Sequence, residues 1–475
     1  MLIALLLAAS LQYVSPVHDD HVTLAGNFGE PRPHHFHGGI DVRTGMAVGK
    51  PLFAVADGYV SRITVGLYGF GNALYITHPD GHTSVYCHLK SFTPPLRTRI
   101  SEYRRRNRQP DRIDEWRNPA RHTADIHLRP NELPVSRGQL VAVSGNTGSS
   151  VAPHLHLEIH DTKTWAMRDP LQFLGHILSD HTPPMAHAFK AYPQEGEGVF
   201  NGSPRQQYYN FSAHQLQREF TAWGKVGFGI WANDYMENTY HHYGIRRTRL
   251  TIDGEVIFES DVDSIPATMN RQVNAWGDYL HWRHQNVWYM KSFREPGCQL
   301  PIIKTDERRG IFLFDQEKLY DVVYTLTDAY GNSTQYSFSV HGVRQPIPPA
   351  PPANPMWTLA WNRVNHVMLP GMQLTLKRHS LPDDIALSPV VIMNQARCSY
   401  AYTLCRQSLP LFHDAELRIR INNAPSADEE LCIASGRKEY PTVIRDGWAV
   451  AQVRDLGETF EVRKRTKKAV SGTQE

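Results

Sequence analysis

The chain has 475 residues, and its 50 Lys and Arg against 47 Asp and Glu leave a formal net charge of +3. That balance offers no electrostatic footprint for nucleic acid, and the length allows roughly two to four domains with cores of their own. Past the first ten residues, no run is apolar and long enough to cross a membrane.

Met1-Leu-Ile-Ala-Leu-Leu-Leu-Ala-Ala-Ser10 reads as the apolar core of a short signal peptide, with Ala8 and Ser10 as small residues for cleavage after Ser10. It lacks a Lys or Arg ahead of the apolar run, and the other reading is a buried N-terminal strand. Next comes His37-Gly-Gly-Ile-Asp41, where Gly38-Gly39 permit a tight backbone path that can bring His37 and Asp41 to one ion. Tyr86-Cys-His88-Leu follows. Cys87 is expected on the opposite face of the strand from His88, as a packed thiol and not a ligand.

From Leu96 to Trp116 the chain carries Arg97, Arg99, Arg104, Arg105, Arg106, Arg108 and Arg112, with Asp111, Asp114 and Glu115 towards the end. Part of this segment reads as helix, broken near Pro110. It is either a lid whose arginines meet carboxylates of a ligand or a solvated charged helix with no such contact. Pro134 ends it, before a strand region at Val135–Val143.

In Pro153-His154-Leu-His156-Leu-Glu158-Ile the apolar Leu155, Leu157 and Ile159 alternate with polar residues, the period of a half-buried strand. Both histidines then share one face, about 6–7 Å apart. One can bind a metal while its neighbour faces a substrate held there.

Beyond about Pro183 the pattern is plain β. Leu250 and Ile252 lead through Asp253-Gly254, a hairpin signal, into Val256 and Phe258. Val322, Tyr324 and Leu326 approach a turn at Asp328–Asn332, and Tyr336, Phe338 and Val340 return from it. Strands so spaced predict an immunoglobulin-like β-sandwich over residues 187–343. The Tyr240-His-His-Tyr243 cluster reads as a surface loop. Residues 344–355 form a proline-rich spacer, and a further β domain is expected over 356–465, with Ala415, Leu417, Ile419 and Ile421 as its clearest strand. The end, Arg463-Lys-Arg-Thr-Lys-Lys468, is basic and expected to fray. Of the five cysteines, Cys398, Cys405 and Cys432 cluster near the end, where an exported protein can pair two; Cys398 with Cys405 is the expected pair, leaving Cys298 free.

Singly, these histidine motifs are cheap. With 25 His, about one H-x-H is expected by chance, and His35-Phe-His37 is already a second. Together they offer two imidazoles and a carboxylate at metal-ligand spacing, plus two further imidazoles. Two His and one carboxylate leave the fourth position of a tetrahedral zinc open, the pattern of a catalytic site. The chain has no H-E-x-x-H, so a neutral imidazole has to serve as general base; His88 and His154 are the candidates.

From about Asn27 to Leu174 the chain resembles the lysostaphin-type zinc endopeptidases that cut peptide cross-bridges in bacterial peptidoglycan. The resemblance rests on dispersed motifs in the family's order. These are His37-Gly-Gly-Ile-Asp41, Pro51-Leu-Phe-Ala-Val-Ala-Asp-Gly-Tyr-Val60, Tyr68-Gly-Phe-Gly-Asn72 with Leu74-Tyr-Ile-Thr-His78, Thr83-Ser-Val-Tyr-Cys-His88, and Gly145-Asn-Thr-Gly148 with Pro153-His154-Leu-His156. The resemblance implies one zinc per chain on His37, Asp41 and His156, with His88 and His154 handling the proton and the developing oxyanion. It further implies a mainly β protein, with a lysostaphin-type antiparallel peptidase domain over residues 20–182 interrupted by a helical insertion at about 95–134. The insertion replaces a usually short connection. The substrate would be peptidoglycan peptide, with small or glycine-containing bonds preferred, and the location periplasmic or extracellular, without stable membrane insertion once the signal is removed. The alternative is an occluded or non-catalytic wall-binding or activator protein of the same fold.

Overall fold

The computed structural model describes residues 13–109, 123–130, 132–351, 355–423 and 430–465. The expected signal-peptide core, the insertion around Pro110 and the last residues of the basic tail lie outside them. Among the described residues no helix is long and apolar enough to cross a membrane.

In chain order the N-terminal domain contains β1 (Leu24–Gly26), β2 (Pro31–Arg32), β3 (His35–Phe36), β4 (Ile40–Arg43), β5 (Pro51–Phe53), β6 (Gly58–Val65), β7 (Ala73–Thr77), β8 (His82–Cys87) and β9 (Ser91–Phe92). Helix α1 (Pro94–Arg106), β10 (Ala124–His127), β11 (Pro134–Val135), β12 (Leu140–Val143), β13 (His154–Asp161) and β14 (Met167–Arg168) complete it. The main sheet runs β1-β4-β13-β8-β7-β6-β10, and β5-β12-β9 form a smaller one. Alternation explains the layering. Ile40, Val42, Leu155, Leu157 and Ile159 are wholly buried in one core with Leu52 and Ala142, so the polar residues between them face the other way.

The insertion is helical only in part. Leu96 and Ile100, one turn apart on α1, join the core, while Arg97, Arg105, Arg106 and Arg108 face solvent. The chain then returns as β10, which pairs with β6 and extends the main sheet.

The protein is mainly β, and two more β domains follow. In the middle one, Asp253 and Gly254 have φ of 51° and 79°, the left-handed pair required by a tight two-residue hairpin, and they join Arg247–Ile252 to Glu255–Asp261. The strand Gln215–Tyr235 is long enough to serve two neighbours, pairing antiparallel with Met185–Phe200 and, over its first half, parallel with Ser333–Gly342. The enclosed core is aromatic: Phe189 stacks on Phe338 at 3.8 Å and meets Phe220 edge-on at 5.1 Å. The C-terminal domain consists chiefly of two five-stranded sheets, and Ala415, Leu417 and Ile419 are wholly buried in its core.

Strand pairing crosses the first domain boundary. β14 pairs with Ser264–Ile265 of the middle domain. Close by, Arg246 reaches Asp169 at 2.9 Å, and Asn27 and Gly244 exchange two hydrogen bonds of 2.8 Å. At the second boundary Phe412 enters the middle domain's core, and Arg271 pairs with Asp414 at 2.7 Å.

All five cysteines are free, contrary to the expected Cys398–Cys405 bridge. The extended strand Ala401–Thr403 separates the two residues along the chain, which works against the α-carbon approach of about 7 Å or less that a disulfide needs.

Phe189→Ala removes the ring on which the middle domain's aromatic cluster is organised. It is expected to cost about 3–5 kcal/mol, measured as a lowered denaturation midpoint for that domain with the N-terminal core unaffected.

Candidate active site

Three strands and two turns assemble the site. Register sets the first contact: in the β4–β13 pair Asp41 stands opposite His156, so both side chains leave the same face. His37 arrives from the β3–β4 connection. Its backbone can lie against β13 only because two glycines follow. A β-carbon on Gly38 would sit 2.5 Å from Glu158 Oε1, and one on Gly39 would sit 2.2 Å from the Leu157 carbonyl oxygen. The result is a tight triangle. His37 Nε2 lies 3.0 Å from Asp41 Oδ1, His156 Nδ1 lies 2.8 Å from the same oxygen, and the two nitrogens are 2.9 Å apart.

Each member is fixed from behind. His37 Nδ1 donates to the Asn27 carbonyl at 2.6 Å. His156 meets Glu158 Oε1 through Nε2 at 3.0 Å, and Glu158 Oε2 meets His160 Nε2 at 2.6 Å. The second oxygen of Asp41 accepts from Arg32 at 2.9 Å, which leaves one oxygen for the imidazoles. Burial alone would raise the Asp41 carboxyl, yet His37 beside it and the hydrogen bonds from His154 and His156 hold it well below the usual carboxylate range. Burial of His156 is outweighed by its two carboxylate neighbours, which push it up to about 9. His37, in contrast, is pushed down to about 4 by burial, so the triangle presents a neutral imidazole beside an ionised carboxylate. Two imidazoles and one carboxylate suit a borderline metal such as zinc better than calcium or magnesium.

His88 and His154 flank this group, with ring centroids 4.9 Å apart. His154 Nδ1 contacts the Ala152 carbonyl at 2.7 Å, and its Nε2 stands 3.3 Å from Asp41 Oδ1. His88 does not sit on the strand as expected: β8 ends at Cys87, and His88 has φ 62°. This left-handed residue turns its ring into the cleft, where Nδ1 donates to the Thr147 carbonyl at 2.9 Å and Nε2 is left as the proton acceptor. Burial and the adjacent His156 push His88 down to about 4, so it is neutral at neutral pH. The expected position of Cys87 is corrected too. It stands opposite His156 and therefore on the same face, buried with Tyr75 and Val85 beneath the site. Burial raises its thiol well above the ordinary range, so it remains a packed group.

The structure thus brings His37, Asp41, His156, His88 and His154 to one cleft of about 1040 Å³. No described residue of α1 lines it, so the described part of the arginine-rich insertion is not its lid. The walls come instead from the β2–β3 hairpin, the loop at Gly69 and Phe70, residues 149–153 and Trp165, together with Tyr240, His241, Ala267 and Asn270 of the middle domain. Tyr240 and His241, read as surface loop, are exposed or partly exposed and sit at the rim. Sequence reading missed Arg32, Asn270 and His160. Only His160 had a signal, since the alternation of His154, His156 and Glu158 continues to it.

Comparison with known proteins gives two family matches. A model described as peptidase family M23 matches residues 35–101, and one described as a Zu5-like domain matches residues 356–464. An uncharacterized metalloprotease of Haemophilus influenzae is 29% identical over 133 residues, 28% of this chain and 19% of that protein. The glycyl-glycine endopeptidase ALE-1 of Staphylococcus capitis is 28% identical over 141 residues, 29% of each chain. This chain therefore spans less than a third of the length of either relative. Among solved structures, the catalytic domain of lysostaphin from Staphylococcus simulans aligns with 32% of this chain and 91% of its own, at 21% identity and a TM-score of 0.23.

Gly148 has φ 77°, and a β-carbon there would lie 2.4 Å from both the Gly69 carbonyl oxygen and the Gly71 nitrogen. Gly148→Ala should strain the loop whose Thr147 carbonyl orients His88, at a cost of about 1–3 kcal/mol. A thermal unfolding midpoint equal to that of the unsubstituted chain would show that the loop relaxes freely.

Proposed function

We propose that this chain, whose N-terminal domain belongs to the lysostaphin-type M23 metallopeptidase family, is an exported zinc endopeptidase that hydrolyses peptide bonds of bacterial peptidoglycan. The observation that carries this reading is the convergence of His37 Nε2, Asp41 Oδ1 and His156 Nδ1 within 3.0 Å of one another, with His88 and His154 in the same cleft. His37, Asp41 and His156 would hold the zinc, one per chain. When bound, zinc supplies Lewis acidity, polarising a carbonyl and acidifying water.

The chain's own groups do the rest. His88, with Nδ1–H given to the Thr147 carbonyl, offers Nε2 to receive a proton and later return it to the leaving amine. His154 lines the opposite side with Nδ1–H given to the Ala152 carbonyl, and as the imidazolium donates through Nε2 to the oxygen on which negative charge builds. Glu158 and His160 act through His156, fixing its ring and tautomer. Arg32 holds Asp41 by its second oxygen.

The deciding experiment is mass spectrometry of muropeptides released from cross-linked peptidoglycan by zinc-loaded protein, with His154→Ala as control. New peptide ends that disappear in the control support the endopeptidase. No release with zinc retained would favour the occluded or wall-binding alternative.

Replacing His37, Asp41 or His156 by Ala should remove zinc and activity together. His88→Ala and His154→Ala should keep zinc and lose turnover by about 10²–10⁴-fold. Equal zinc loss in all five variants, by elemental analysis, would contradict these roles.

Glu158→Gln should weaken zinc retention by about 10–100-fold in a chelator competition, without removing a ligand. Retention equal to that of the unsubstituted protein would mean that Glu158 contributes only packing.

A further inference from the structure

A second group of acidic side chains lies away from the cleft, at the seam between the first two domains. Asp180 follows the last helical turn of the N-terminal domain. Asp234 ends the long strand Gln215–Tyr235, Glu237 lies three residues on, and Asp328 opens the turn to Asn332. Carboxylate oxygens of Asp180, Asp234 and Asp328 lie within 4.8 Å of one another. Relative exposures are 3%, 1% and 3% for the three aspartates.

The hydrogen bonds around them leave a definite remainder. Asp180 Oδ1 accepts from the Thr182 nitrogen at 3.0 Å, and Glu237 Oε1 accepts from the His181 nitrogen at 2.8 Å. Asp328 is satisfied on both oxygens, by the backbone nitrogens of Tyr330 and Asn332 and by Asn332 Nδ2. Asp234 Oδ1, however, is buried without any hydrogen-bond partner, and Asp180 Oδ2 and Glu237 Oε2 have no donor from the chain, the two carboxyls meeting only each other. Among the described residues, none of the three aspartates forms an ion pair with Lys, Arg or His. Burial, and then the neighbouring carboxylates, push Asp180 up to about 7 and Asp234 up to about 8.

Buried carboxylates are normally paired, hydrogen-bonded or bound to a metal. Here two of them are aimed at each other's charge with empty oxygens and no cation from the chain. The donors are all oxygen, which disfavours zinc and suits a hard cation. They come from three separate segments and are all protein carboxylates, a set that calcium takes up more readily than magnesium, which keeps several of its waters.

We propose that Asp180, Asp234 and Asp328, with Glu237 beside them, bind one calcium ion that pins the end of the peptidase domain to the middle β domain. The site is separate from the zinc ligands and stands independently of the peptidase reading. Occupancy would tie residues 178–182 to the end of one strand and the turn of another, reinforcing the β14 pairing at the same seam.

The test uses the full-length, zinc-loaded chain freed of other cations, with calcium chloride or magnesium chloride added. Isothermal titration calorimetry should give one calcium per chain, and thermal unfolding should move to higher temperature with calcium. Asp234→Asn and Asp180→Asn should each lose the calcium-dependent shift while retaining one zinc. Both substitutions keep the size of the side chain and relieve what charge the crowded carboxyls carry, so without calcium they should melt no lower than the unsubstituted chain, which separates loss of a ligand from loss of folding. Asp328 is left intact because its oxygens cap the turn. Absence of calcium binding in the unsubstituted chain would overturn the proposal, leaving carboxyls that share protons. A response to magnesium alone, or an undiminished calcium shift in both variants, would overturn it equally.

Discussion

The site depends on register between β4 and β13. Asp41 and His156 are cross-strand partners, and in a sheet of period two a one-residue slip would turn both into the core while bringing Ile40 or Leu157 to the cleft. The apolar alternation that buries Leu155, Leu157 and Ile159 is therefore the same device that presents His154, His156, Glu158 and His160. Packing specifies the polar face indirectly, because moving any member of it would expose leucine.

Against that rigid sheet the other functional groups come from turns. His37 needs Gly38-Gly39 to pass close to β13, and His88 needs a left-handed backbone to leave the end of β8. The middle domain supports this side of the cleft directly. The backbone nitrogen of Phe36 donates to Asn270 at 2.6 Å, and the Phe36 ring packs near Trp276 at 5.9 Å between centroids. The residue next to His37 is thus held by a segment more than two hundred positions away. The middle domain is part of the architecture of the cleft, and the joint between the two is as structural as either core.

This division explains what could be read in advance. The motif residues were legible because their chemistry is unusual and their alternation local: His154-Leu-His156 declares a face without knowledge of the fold. The hairpin at Asp253-Gly254 was legible because its backbone angles are reserved to few residue types. The left-handed turn at His88 was not, since histidine carries no such signature and the strain is imposed by the Phe70 and Thr147 backbone around it. Arg32 and Asn270 were illegible for a different reason. Each is an ordinary polar residue whose role arises only from long-range contact. The return of the insertion as β10 was hidden, because that strand holds only four residues, too few for alternation to stand out.

That short strand has a consequence at the edge of the sheet. An unpaired edge offers a row of backbone donors and acceptors to any passing chain. β10 covers β6 and becomes the new boundary, but it is brief, and its outward residues are Asp125 and His127, with Asp125 clasped by both ends of the Arg62 guanidinium. A longer apolar strand there would invite another molecule to continue the sheet. The charged four-residue border ends it among the described residues, and so guards this side of the sheet against self-association.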